Sequence, residues 1–139
     1  MLRILVPVDG STAALRALEL AGLRKHRTAG EVSIVVLNVQ APLPPSRYLT
    51  RSMINDHYAS ISILALRSAR STARRLKLDA RFYVRRGDPS TTIARFAKGM
   101  SCKEIIMGTR GRGRMAVFVL GSVALRVIQR VKIPVTLVK

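Results

Sequence analysis

The residues richest in chemistry are Met107-Gly108-Thr109-Arg110-Gly111-Arg112-Gly113-Arg114, followed further on by Gly121-Ser122-Val123. Three glycines and three arginines fall within the seven residues 108–114. Glycine lacks Cβ, so backbone N–H groups can approach an anion closely and φ can turn positive. Guanidinium holds phosphate in a bidentate fork. The apolar run Ile105-Ile106-Met107 precedes the loop, and Gly121-Ser122 opens a helical pattern whose first N–H groups have no partner within the helix. A strand, a glycine-rich loop and a helix N-terminus together make a phosphate cradle. The expected chemistry is binding of the phosphates of a nucleotide.

Turnover would need more. Phosphoryl transfer requires a positioned nucleophile or base beside the phosphates, and no Lys-Ser/Thr pair follows the glycines. His26 falls at an expected helix end and His57 on a long helix, where surface or packing roles suffice. Asp9 could help to hold Mg²⁺, but one carboxylate makes a weak site without phosphates beside it. The one cysteine, Cys102, rules out both an internal disulfide and a cysteine-built metal site. The residues therefore argue for nucleotide binding, with at most slow hydrolysis.

The elements that must position these residues read as an alternation. Residues 2–8, 31–39, 104–107 and 133–138 are β-branched, nearly continuous apolar runs, as expected of strands buried on both faces. Residues 79–86 alternate apolar with charged, which predicts a strand near the sheet edge. Between them lie helical patterns. Ala14, Leu15, Leu18, Ala21 and Gly22 share one face, with Asp9 or Ser11 as cap. Ile54, Tyr58, Ile61, Ala65, Ala69, Ala73 and Leu76 share another. Asp88-Pro89 starts a short helix with Ile93, Phe96 and Ala97 inward. Residues 117–131 carry Val117, Leu120, Ala124, Leu125, Ile128 and Val131 as an expected inner face. The order β-α-β-α-β-α-β-α-β predicts one α/β domain over residues 1–139, a parallel sheet with helices on both faces. Ligands of such sheets sit beyond the carboxyl ends of strands, where strand order reverses. Asp9, Val39 and Met107-Gly108 end three of the strands, so they can converge.

The spacing Gly-x2-Gly-x9-Gly-Ser from Gly108 to Ser122 resembles the nucleotide-binding motif of the ATP-binding branch of the universal stress protein family. The opening Ile4-Leu5-Val6-Pro7-Val8-Asp9-Gly10-Ser11, the Gly87-Asp88-Pro89 turn and the ending Ile133-Pro134-Val135-Thr136-Leu137-Val138 resemble the same family, so the likeness spans essentially the whole chain. It implies an open five-stranded parallel sheet in the order 3-2-1-4-5, Rossmann-like, and a homodimer paired through the last strand, Val135 to Val138. It also implies roles. Gly108 and Gly111 match the loop that wraps ribose and phosphates, Gly121 and Ser122 the turn that meets the terminal phosphates, and Val123 a backbone contact. Asp9 matches a carboxylate near the adenosine end. Val39 matches the backbone that reads the adenine edge, a role that only the resemblance assigns. Met107, Arg110 and Arg112 complete the candidate set, with ATP as ligand and Mg²⁺ as a candidate companion. Asn38 stands where family members often carry a histidine.

Composition frames these expectations. Apolar residues make up 48% of 139, and no apolar run nears the ~20 residues a bilayer span needs. No membrane association is expected, and a single cysteine fits a cytoplasmic home. The charge is unusual: 25 Lys+Arg against 7 Asp+Glu give +18. Such a field attracts polyanions, and Arg67, Arg70 and Arg74 form one helical stripe. The alternative function is thus a basic protein that docks nucleic acid or an acidic partner and keeps only a vestigial nucleotide site. With three Phe and three Tyr, the chain is poor in the aromatics of RNA recognition, which disfavours that alternative. An adenylate-handling enzyme would need a substrate domain for which the chain looks too short.

Overall fold

The computed structural model describes residues 1–110 and 120–139. In chain order the elements are β1 (Leu2–Pro7), α1 (Thr12–Arg27), β2 (Val32–Gln40), α2 (Arg51–Arg75), β3 (Ala80–Arg86), α3 (Pro89–Gly99), β4 (Glu104–Gly108), α4 (Ser122–Arg130) and β5 (Val135–Val138). All four strand pairings are parallel, in the order β3-β2-β1-β4-β5. The α/β topology is the one expected, with β3 at an edge.

The apolar runs follow from two cores. Ile4 and Val6 of β1, with Ile34 and Val36 of β2, pack under α1 and α2 against Leu18, Leu66 and Ala69. Leu5, Val35 and Leu37 point to the other side and meet α3 and α4 through Ile93, Ala97, Ala124 and Val127. Alternate residues of one strand thus enter different cores, so the central positions Ile4–Val6 and Ile34–Leu37 are apolar without a break. Cys102 is buried in the second core, and burial raises its thiol pKa despite the opposing charge of Arg3.

Polar residues pin the frame at two points. Buried Glu104 accepts a hydrogen bond at 2.7 Å from Arg24 of α1 and another at 2.7 Å from the Thr136 hydroxyl of β5. It thereby ties β4 to a helix on one side and to a strand on the other. Asn38, also buried, donates to the Val8 carbonyl at 2.8 Å and accepts from Gln40. The two strand ends that carry Asp9 and Val39 are held together by that amide.

One expected face is set differently. Ala124 and Val127 are the buried residues of α4, with Leu120, Val123 and Val131 packed around them, whereas Leu125 and Ile128 are 46% and 40% exposed. Positions 120, 123, 124, 127 and 131 keep the 3.6-residue period; the expected face mixed two adjoining stripes. Val117 lies outside the described residues.

Candidate functional site

The chain crosses from strand to helix four times at one end of the sheet, and each strand end or the turn after it supplies part of a cavity, Val39 coming from β2. After β1, Asp9 accepts the Ser11 N–H at 2.9 Å, an Asx turn that bends the chain into α1. Gly10 in this turn has φ +84°, the left-handed region that glycine enters without strain. Ser11 caps α1 by accepting the Ala14 N–H at 3.3 Å. Asp9 is therefore a turn residue beside the cap, and its second carboxylate oxygen is not engaged in that bond.

After β3, Asp88 caps α3. It accepts the Thr91 N–H at 2.9 Å and the Ser90 hydroxyl at 2.9 Å. The Thr91 backbone bond, then the Thr91 and Ser90 hydroxyls, lower its pKa from 3.8 to about 2. Pro89 takes the first helical position, as its missing N–H permits.

After β4, Thr109 donates to the Val138 carbonyl at 2.8 Å, and its own carbonyl accepts the Gly121 N–H at 2.7 Å. The two stems of the intervening loop thus meet at Thr109. The glycines here are required by space. A Cβ on Gly108 would lie 2.9 Å from the Ala13 Cβ, and one on Gly121 would lie 2.8 Å from the Thr109 oxygen. Gly121 is the N-cap of α4 with φ −61°, and no side chain caps this helix among the described residues. Ser122 is the first helical residue and exposed, so its hydroxyl is not the cap.

These crossings enclose a cavity of about 330 Å³. Asp9, Val39, Met107, Gly108, Arg110, Gly121, Ser122 and Val123 all line it. Gly111 and Arg112 lie outside the described residues. Residues not foreseen complete the wall: Thr109, Ser11, and Pro89 with Ile93 from α3. Pro89 was legible as a helix start, but its place beside the cavity depends on which face of the sheet α3 covers. The volume falls within the ~300–1,000 Å³ range of small-molecule sites. The wall is mainly apolar at Val39, Leu37, Ile93 and Met107, and polar where α1 and α4 begin. One end suits a flat, weakly polar ring; the other suits an anion at helix N-termini.

The universal stress protein family profile matches residues 1–139. The chain belongs to this family. Among curated relatives it is similar to universal stress protein MJ0531 of Methanocaldococcus jannaschii, 28% identical over 138 residues, covering 99% of this chain and 81% of the relative. Universal stress protein YxiE of Bacillus subtilis is 25% identical, covering 99% and 98%. Among solved structures, hypothetical protein MJ0577 superposes with a TM-score of 0.81 at 24% identity, over 99% of this chain and 95% of that one. A universal stress protein in complex with cAMP gives a TM-score of 0.72 at 21% identity, covering 99% and 97%. The Archaeoglobus fulgidus universal stress protein in complex with dAMP gives 0.69 at 24%, covering 100% and 98%. At these identities the solved structures establish the fold, which is that of the family. Among the described residues, no helix of this family member is long and apolar enough to cross a membrane.

Proposed function

We propose that this universal stress protein binds ATP in the cavity at the carboxyl end of its sheet and acts as a nucleotide-dependent stress-response or signalling module in the cytoplasm. The observation that carries the reading is the convergence of Asp9, Val39, Gly108, Arg110 and Gly121-Ser122 on one cavity from positions scattered through the sequence. The phosphates are assigned to the N-terminus of α4, where no side chain among the described residues caps the helix and the dipole favours negative charge. The Arg110 guanidinium adds charge at the loop stem. Adenine is assigned to the apolar end, with the Val39 backbone reading its edge and Asp9 beside the ribose. Mg²⁺, where it accompanies ATP, would take the phosphate oxygens as its main ligands, with Asp9 as the one carboxylate among the described cavity wall. The adenine nucleotides in the two solved complexes, cAMP and dAMP, make the same ligand class reasonable here.

The reading is binding without efficient turnover. Asp9 and Arg110 are the ionisable residues among the described cavity wall. Arg110 stays cationic and cannot serve as base, and Asp9 spends one carboxylate oxygen on its turn.

Calorimetric titration tests this. ATP is expected to bind the parent protein. Gly108→Glu and Gly121→Gln are expected to abolish binding, because each side chain would enter space held by Ala13 or by the Thr109 carbonyl. Ser122→Ala removes one hydroxyl contact and should weaken binding about 2- to 12-fold, the worth of one hydrogen bond of about 0.5–1.5 kcal/mol. Absence of heat with ATP, ADP and AMP alike, and no nucleotide in the purified protein, would end the proposal.

A further inference from the structure

The edge strand β3 carries an arrangement that the cavity does not use. Arg81, Arg85 and Arg86 are exposed along it, and Arg67, Arg70 and Arg74 are exposed along α2. The structure joins the two sets through aromatic rings. The Arg70 guanidinium lies 4.4 Å from the centroid of Phe82 in β3, and Arg86 of β3 lies 4.1 Å from that of Tyr58 in α2. On the opposite face of the sheet, Arg85 lies 5.4 Å from Phe96 of α3. Arg81 pairs in register with Val35, whose side chain belongs to that same face. Guanidinium groups therefore flank one sheet edge on both sides.

Charged side chains on an edge strand also prevent edge-to-edge pairing, but that purpose needs no second row on the helix. The row is costly on its own, since like charges at helical spacing repel. The ion pairs among the described residues are Arg24–Glu104 and Arg75–Glu19, so none of the six is neutralised by a carboxylate there. Asp79, between α2 and β3, takes part in neither pair. Ring contacts hold the Arg70, Arg85 and Arg86 guanidinium planes in place. Arg85 also donates to the Val84 carbonyl at 2.8 Å and Arg86 to Asn55 at 3.3 Å, and five N–H donors per guanidinium leave more for an anion. Such planes can fork phosphate and stack on unpaired bases, which an ammonium cannot do.

We propose that this edge binds single-stranded nucleic acid through its phosphate backbone, independently of the nucleotide cavity. None of the six arginines lines the cavity. A strand edge is a narrow ridge, suited to one backbone lying between two basic flanks. Reading the sequence of a duplex would demand an element inserted into a groove, and this edge offers none.

Fluorescence anisotropy with a labelled single strand of about 20 nucleotides tests the surface. Each phosphate contact should contribute about 0.7 to the log-log salt slope, so four contacts predict about a 50-fold loss between about 50 and 200 mM salt. Arg81→Glu with Arg85→Glu should lower that slope by about 1.4, and so should Arg67→Glu with Arg74→Glu. The helix pair carries the test if the strand pair does not fold by circular dichroism. Lys103→Glu with Lys132→Glu makes the same change in net charge beside β4 and β5 and should leave the affinity within about 3-fold of the parent. Equal weakening by that control pair would overturn the proposal in favour of the overall field. Displacement of the strand by ATP would overturn it in favour of the cavity. Equal displacement by polyglutamate of matched charge would overturn it in favour of an acidic protein partner. Failure to bind any single strand at low salt would also overturn it, and would leave the ATP titration unaffected.

Discussion

At the scale of single residues, the capping carboxylate of Asp88 offers the clearest acid-sensitive contact. Its folded pKa of about 2 lies below the ordinary 3.8. The ionised form is therefore favoured by the fold, and the stability it contributes is fully present above pH 3.8. That contribution is lost as pH falls from about 3.8 through about 2. Asp88→Asn keeps a side-chain oxygen for the Thr91 N–H but cannot titrate. Urea midpoints measured from pH 5 to pH 2 should fall more steeply for the parent than for this variant. Parallel curves would show that the hydrogen bonds do not depend on the charge. Asp88 was legible as a cap because Asp-Pro punctuates the sequence so clearly. Asp9 and Ser11 were legible only as a pair, since each can bond a neighbouring N–H; the fold gives the helix cap to Ser11 and the turn to Asp9. The reason for Gly108 and Gly121 was only half visible. Close backbone approach was expected, but the bodies approached include Ala13 and the Thr109 carbonyl, which no local pattern could name.

At the scale of elements, periodicity located strands and helices because burial on two faces, or on one, leaves a regular trace. It misplaced the inner face of α4, where apolar side chains also occupy the outward stripe. Leu125 and Ile128 on that stripe, with the outer edge of β5, bear on association. The Pro134 and Val138 carbonyls accept from Ile105 of β4 and from Thr109 just after it. Alternation then turns the backbone groups of Val135 and Leu137 away from β4, toward the open edge. A second copy of the chain can pair there, as the family resemblance implies. Sedimentation velocity should show a dimer at micromolar concentration. Leu137→Pro deletes an outward N–H, spares the β4 bonds, and should shift the protein toward monomer by about 150-fold in dissociation constant, given about 1.5 kcal/mol for each of two symmetric contacts. A parent that stays monomeric at about 100 µM would remove the proposal, since specific dimers of standard interface size are far tighter.

At the scale of the whole molecule, the cavity wall is drawn from strand ends and helix starts that meet only when the sheet is complete. β1 contributes Asp9 through its following turn, β2 contributes Val39, and α4 contributes Gly121-Ser122. No fragment lacking one of these can present the site, so a ligand that fills it must bind the folded chain far better than the unfolded one. Linkage then fixes the consequence: ATP at about 100 times its dissociation constant should add about 2.7 kcal/mol to folding stability. For a chain between the small and mid-sized classes, each kcal/mol raises the melting temperature by about 3–5 °C, so the expected rise is about 8–14 °C. The single strand proposed for the β3 edge touches β3 and α2 alone and should give a smaller rise that vanishes at high salt. Thermal melts with ATP at low and high salt separate the two. A rise with ATP that collapses with added salt in the same way would place the nucleotide on the basic surface, and the helix N-terminus would lose its assignment.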